Sequence, residues 1–599
     1  MSEKRRPADS AAGAGGAARE GPSLPRVPGY EPVTVAGRLL RRRGPSLAAR
    51  IGEQGGALLR GLGYRSLVYS WRLRGSFPLK LIASPADPWP GAREHGEAIA
   101  SGLYGWAGYR IEAPLPPFAD EAAPEAFLVW LHSFRWLRDL AALNDPRRAM
   151  AIAEPAVRAW VDQFAHYHPV AWRPEVIGER FIHWTSHAPL ILATNDLVYR
   201  SKVLNSLARQ ARHLARAAAR APEGMARLTA AAGLVYSGLL LPGGEARQHK
   251  GGDLLARELA RFVLPDGGVA TRSPADMLML LQRLIALRAV YRDRQAAPPE
   301  ALQIAIDRLV PALKGLRHSD GGLAAFNGAR GGAARDLGLA LDLAECDAEP
   351  TNNGALSGYQ RMARGGAVVI IDAGPPPAMP YSRAAHAGTL ALEFSHDGER
   401  LIVNCGSALG DAAVPSDMAA MTRTTAAHSA LVFADTNAAQ LRRDGLIGRA
   451  AQGVGFIRRE GEAGLWLDLD HDGYGRKFGL MHTRRLFLAA SGLDLRGEDR
   501  LSAAPGHRPR ATGRRFDIRF HLHPGVEATP TQDGQAAILR LANRRDGWMF
   551  RARGATLAIA DSLMIDEMGR LRRTRQLVLS GTVAALPSAI NWSLKAMTA

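Results

Sequence analysis

Cysteine is nearly missing. Cys346 and Cys405 are the two among 599 residues, too few for a disulfide framework or a cysteine-rich metal site. Long apolar runs are missing as well: LLLPGG after Gly238 breaks at once, and nothing approaches the roughly 20 residues that cross a bilayer. The N-terminus, MSEKRRPADSAAGAGGAARE, carries positive charge with no apolar stretch behind it, so it does not read as a secretory signal. A disordered tail over 1–26 and a cytoplasmic location follow as expectations. Acidic residues are outnumbered, 57 against 76 lysines and arginines, giving a net charge of +19. Most of that excess is arginine, which suits bidentate contact with carboxylate, sulfate or phosphate. A polyanionic partner is one reading of it. The other is a GC-rich genome that overuses arginine and alanine.

What is present is an ordinary folded composition, 47% hydrophobic and 22% charged, which excludes disordered and fibrous classes. The length excludes a single small domain. From about Val33 to Arg317 apolar residues recur at three- and four-residue spacing, as in EAFLVWLHSFRWLRDLAAL from Glu125 and ADMLMLLQRLIALRAVY from Ala275. Consecutive amphipathic helices with short loops predict antiparallel helical hairpins, and the lack of a fixed period favours a closed toroid over a solenoid. After a glycine-rich stretch, HSDGGLAAFNGARGGAARD, short alternating runs with HDGE and RDG turns predict an antiparallel β-sandwich. The domains expected are a helical one over 27–320, a linker over 321–355 and a β domain over 356–599.

Histidines concentrate in the β half. His386 lies in YSRAAHAGTLALEF, Asn404 in LIVNCG at the end of a strand run, His428 in AHSALVF at the start of one, and HDGYGRKFGLMH holds Tyr474 and His482. Strand-borne imidazoles with an oxygen ligand are a zinc-type donor set. The order of a helical half, then HAGTLALEFSHDGERLIVNCG, RTTAAHSALVF, HDGYGRKFGLMHTRRLFL and RFHLHP, resembles the heparinase II/III family of polysaccharide lyases.

That resemblance implies an α+β fold, an N-terminal incomplete α/α toroid followed by a C-terminal antiparallel β-sandwich. It also implies β-elimination on an acidic, uronic-acid-containing polysaccharide, a carbon–oxygen lyase reaction. Such chemistry needs a neutralised carboxylate, a base at C5 and an acid at O4. The family's zinc positions map to His386, Asn404 and His428, with Asn404 in place of an aspartate and Gly388 in place of another. The helix that would open Asn-Asn-His has Gly224, Met225 and Ala226, and the family's Glu and catalytic Tyr fall on Thr271 and Asp276.

A rebuilt catalytic site would draw on Tyr381, His386, Tyr474 and His482. Arg272, Arg383 and Arg423 would clamp anions, and Trp184, with Trp172 and Arg180, would line the cleft. For each tyrosine the competing reading is a buried ring with its hydroxyl satisfied by backbone. His187 and Tyr199 carry less weight as substrate contacts. Trp130, Phe134 and Trp136 read as toroid core. The alternative function is an inactive lyase fold that binds a polyanion. Nucleic acid ranks below polysaccharide as that partner, for want of a reader motif. A homodimer is compatible with the family reading, and a periplasmic location is the alternative it brings.

Overall fold

The computed structural model describes residues 33–41, 63–542 and 546–597. The tail expected over 1–26 lies outside the described residues, as does part of the RDG turn.

The helical half runs from Leu67–Arg72 to Glu300–Gly315, and its helices begin where the sequence supplies caps. Asp145 accepts from the amides of Arg147 and Arg148 ahead of Pro146–Gln163, Asp196 caps Leu197–Ala217, and Ser273 caps Pro274–Asp293 with Pro274 in the first turn. Met225–Leu240 is buried at every position from Leu228 onward, so it forms an inner wall with Pro174–Ser186 and Glu245–Phe262 against it. Glycine permits that packing: a Cβ on Gly233 would sit 2.3 Å from the Cα of Gly178. Trp130, Phe134 and Trp136 are core, as their spacing predicts. No helix among the described residues is long and apolar enough to cross a membrane.

The β half is two antiparallel sheets of nine and eight strands packed face to face. Leu392–His396 turns back into Glu399–Val403 through Asp397 and Gly398, at φ 44° and 84°, the left-handed pair that HDGE predicts. Leucines and phenylalanines on the inner faces make one core.

Two expected boundaries are corrected. Val33–Leu40 is not helical and not part of the toroid: it pairs antiparallel with Gly453–Gly461 and forms the edge of the nine-stranded sheet. VTVAGRLL alternates weakly, and its partner is far along the chain. Nor is 321–355 a loose linker. Leu323 and Gly332 exchange backbone hydrogen bonds, Ala324, Phe326 and Asn327 are buried, and Ala334–Ala344 is a helix. Its glycines serve close turns, with Gly328, Gly331 and Gly332 all at positive φ.

Candidate functional site

The segment 318–332 lies on the eight-stranded sheet and carries polar side chains into the joint between the two halves. Asn327, at φ 46°, accepts from the backbone amide of His386 at 3.2 Å and donates through Nδ2 to the Tyr359 hydroxyl at 2.9 Å and to Asp372 at 3.3 Å. From the helical side Arg272 reaches in, also at positive φ, 57°. Its Nε donates to the Ser357 carbonyl at 2.6 Å, and its terminal nitrogens donate to the carbonyls of Gly374, Pro375 and Gly358 and to Asp372 Oδ1 at 2.5 Å. Burial opposes its charge, but Asp372 and Tyr359 more than restore it. Arg272 is therefore an interdomain clasp with no donor left for a substrate anion.

Next to the clasp, His386 and His428 form a proton-locked pair. His428 Nδ1 donates to the Thr424 carbonyl at 2.7 Å, so its Nε2 lone pair accepts from His386 Nδ1 at 2.8 Å, and His386 Nε2 accepts from the Gly328 amide at 3.1 Å. A carbonyl at one end and an amide at the other dictate both tautomers. Burial holds both imidazoles neutral, His428 down to about 4 and His386 well below its usual value, with His428 and Arg423 adding to the effect on His386. All four ring nitrogens are engaged, so neither ring has a lone pair free for zinc, nor His386 a proton free for a substrate carboxylate.

Asn404 completes the contrast. Its amide and Nδ2 both donate to Glu393 Oε1 at 3.0 Å, and its Oδ1 accepts from Ser429 at 2.9 Å. Burial pushes the Glu393 carboxyl up, but His318, donating to Oε2 at 3.0 Å, brings it below the usual range. The residues as they stand do not fit a zinc ion. Changing Asn404→Asp would set a second carboxylate against Glu393, and we expect it to cost about 2 kcal/mol, read as a lower urea midpoint, without gain of zinc in the dialysed protein. A stability at or above that of the parent chain would refute this.

The other predicted residues are spread through the molecule. Tyr474 is sandwich core: its hydroxyl donates to the Leu431 carbonyl at 2.7 Å and burial pushes its pKa far up. His482 lies opposite His471 in the strand register and is held between it, at 3.1 Å, and Asp499, at 2.7 Å. Trp184 is fully buried, edge-on to Trp160 and Phe134. Trp172 and Arg180 are buried too, Arg180 lying 3.9 Å over the Trp160 ring. Tyr199 is core. None of these lines a cleft, because the aromatic spacing that marks a helix face marks its inward face.

Arg383 and Arg423 do come near one another, while Tyr381 faces the helical half. Tyr381 is half-buried with its ring edge on Phe262, and burial, then Glu223 and Glu258, push its hydroxyl pKa up, which works against a phenolate base. Arg383 is exposed and Arg423 is buried, donating to the carbonyls of Ala385 and Ser382 at 2.9 and 3.2 Å. At the helix starts, a Cβ on Gly224 would lie 3.2 Å from Phe262, and Thr271 donates to Asp276 at 2.7 Å.

Comparison with known proteins places this geometry. A family model for the heparinase II/III-like C-terminal region matches residues 347–593. FtsZ-localized protein C of Caulobacter vibrioides is 36% identical over 534 residues, which cover 86% of this chain and 90% of the relative. The chain belongs to the heparinase II/III-like family. Among solved structures, heparinase III superposes with a TM-score of 0.68 at 11% identity, covering 93% of each chain. The chondroitin AC lyase of Streptomyces coelicolor A3 gives 0.51 at 13%, covering 89% of this chain and 80% of its own. These likenesses show the fold, toroid and sandwich together. Within this heparinase II/III-like chain, Gly388 is tied to the locked pair, since a Cβ there would lie 3.0 Å from the His428 ring.

Sequence reasoning missed the joint residues His318, Asn327, Asp372 and Glu393. Glu393, a lone carboxylate in the apolar run LALEF, was the available signal. It also missed a groove of about 880 Å³ on the nine-stranded sheet, where Arg551, Arg553 and Lys595 stand with Asp533, and Arg485 and Arg496 are paired with Glu498 and Asp494.

Proposed function

We propose that this chain is a non-catalytic member of the lyase fold that acts together with FtsZ. One observation carries the reading: FtsZ-localized protein C matches it at 36% identity over nearly the whole length of both chains. The joint supports the same reading, since His386 and His428 are spent on each other and on backbone, and Asp276, bonded to Thr271, stands where the resemblance places the tyrosine base. A fluorescent fusion is expected to gather where FtsZ gathers in the dividing cell, and purified chain to co-sediment with polymerised FtsZ. Diffuse fluorescence together with no co-sedimentation would sink it.

A second reading rests on the groove. Its arginines and lysine suit sulfate or carboxylate, so the partner would be an acidic polysaccharide, bound without cleavage or, as a lyase, cleaved by β-elimination. Absorbance of unsaturated uronate ends on heparan sulfate, chondroitin, hyaluronan, alginate and polyglucuronate separates these cases. We expect no rise, and a steady rise on any one polymer would overturn the non-catalytic proposal.

A further inference from the structure

A second group of histidines lies inside the toroid, away from the joint. His183 and His187 are one helical turn apart at the end of Pro174–Ser186, and Asp87 faces them from the segment that precedes the first long helices. One donor atom from each of the three lies within 4.8 Å of the others. His187 Nδ1 donates to the His183 carbonyl at 3.0 Å, which leaves a lone pair on Nε2. That lone pair faces Asp87 Oδ2 at 3.8 Å. A lone pair and a carboxylate oxygen turned toward each other inside a protein repel unless a proton donor or a cation stands between them, and at 3.8 Å no direct hydrogen bond joins these two.

His183 makes the same point independently. It is 2% exposed, yet its Nδ1 has no hydrogen-bond partner and its Nε2 comes only to 3.7 Å of Glu179. Buried imidazoles are almost always satisfied, and one left without a hydrogen bond marks a missing ion or water. The supporting shell is already in place. Arg138 grips Asp87 through Nε at 2.8 Å and a terminal nitrogen at 3.2 Å, and the Trp89 amide donates to Oδ1 at 3.1 Å, fixing the carboxylate while Oδ2 keeps a lone pair for another partner. Glu179, held by Arg283, stands behind His183.

We propose that Asp87, His183 and His187 bind a divalent transition metal, Zn²⁺ by the two-nitrogen, one-oxygen character of the set. Paired histidines one turn apart on a helix with a carboxylate from elsewhere are a three-protein-ligand zinc arrangement with a fourth position open. The carboxylate shared with Arg138 keeps the site's net charge low, which disfavours Ca²⁺ and Mg²⁺.

The test uses the full chain, stripped with chelator and titrated with Zn²⁺ by calorimetry, with Co²⁺ absorption as a spectroscopic check. One Zn²⁺ per chain is expected, together with a Co²⁺ spectrum of low coordination number. Affinity should fall at least about 100-fold in His187→Gln and in Asp87→Asn and stay unchanged in His386→Gln. Circular dichroism on each variant identifies any that fails to fold, and the Co²⁺ spectrum of the parent chain does not depend on variants. No saturable binding by the folded parent chain would overturn the proposal, as would equal binding by folded His187→Gln and Asp87→Asn, or loss that follows His386 instead.

Discussion

Replacing Arg272 with alanine should destabilise the chain by about 3–5 kcal/mol, the cost of removing one partner of a buried ion pair. The loss has two parts. Asp372, 3% exposed, keeps only Asn327 at 3.3 Å and the Gly374 amide at 3.4 Å, so a carboxylate is left buried with weak partners. The carbonyls of Ser357, Gly374 and Pro375 lose their Arg272 donor together, while that of Gly358 keeps the Ala373 amide at 2.7 Å. Because these groups tie the helical half to the sandwich, urea unfolding should split into separate steps. Far-ultraviolet circular dichroism would report the helices and hydrogen exchange of the strand amides the sheets. Arg272→Lys should recover only part of the loss, since a single ammonium cannot reproduce the planar fork. A loss under about 1 kcal/mol with one unchanged transition would mean that the guanidinium is free to serve a ligand after all.

The contrast between Arg272 as an expected anion clamp and Arg272 as a clasp shows where sequence reading stops. Periodicity made the helices legible, and aspartate, serine and proline marked several of their starts, because those signals are local. HDGE announced its hairpin for the same reason. The tyrosine and histidine of HDGYGRKFGLMH carried no such mark: whether a residue faces the core or a cleft depends on which sheet lies across from it, and Arg484, on the strand of His482, turns out to bond to the carbonyls of Leu390 and Ser429 in loops that lead into strands of the opposite sheet. The strand Val33–Leu40 was hidden because its pairing partner begins at Gly453. Resemblance succeeded for the fold, and the structure brings His386 and His428 together. Resemblance did not foresee that glycine at 388 and asparagine at 404 accompany a direct hydrogen bond between the two histidines.

Asp499→Asn should be as costly as losing the clasp, about 3–5 kcal/mol, and it should change how stability depends on acid. Asp499 accepts from Arg484 through both oxygens, at 2.8 and 3.0 Å, from His482 at 2.7 Å and from the Trp592 indole at 2.9 Å. Burial pushes its carboxyl up, but Arg484 and His482 overcome that and hold it far below the usual range. A depressed carboxylate contributes stability that is complete above the unfolded value, about 3.9, and is lost as pH falls through the folded one. The buried imidazoles act on the same side. Burial lowers His386, His428, His471, His482 and His521, so below about pH 6.5 the unfolded chain takes up protons that the native chain refuses, and each ring costs up to about 1.4 kcal/mol per pH unit. Urea midpoints of the parent chain should therefore fall steeply from pH 6.5 to 5 and fall further below about pH 4. In Asp499→Asn the first fall should persist and the second should shrink, since the imidazoles remain and the carboxylate does not. Midpoints that stay level from pH 7 to 5 would show that these rings are protonated in the native chain, and the locked tautomers of His386 and His428 would fall with that result.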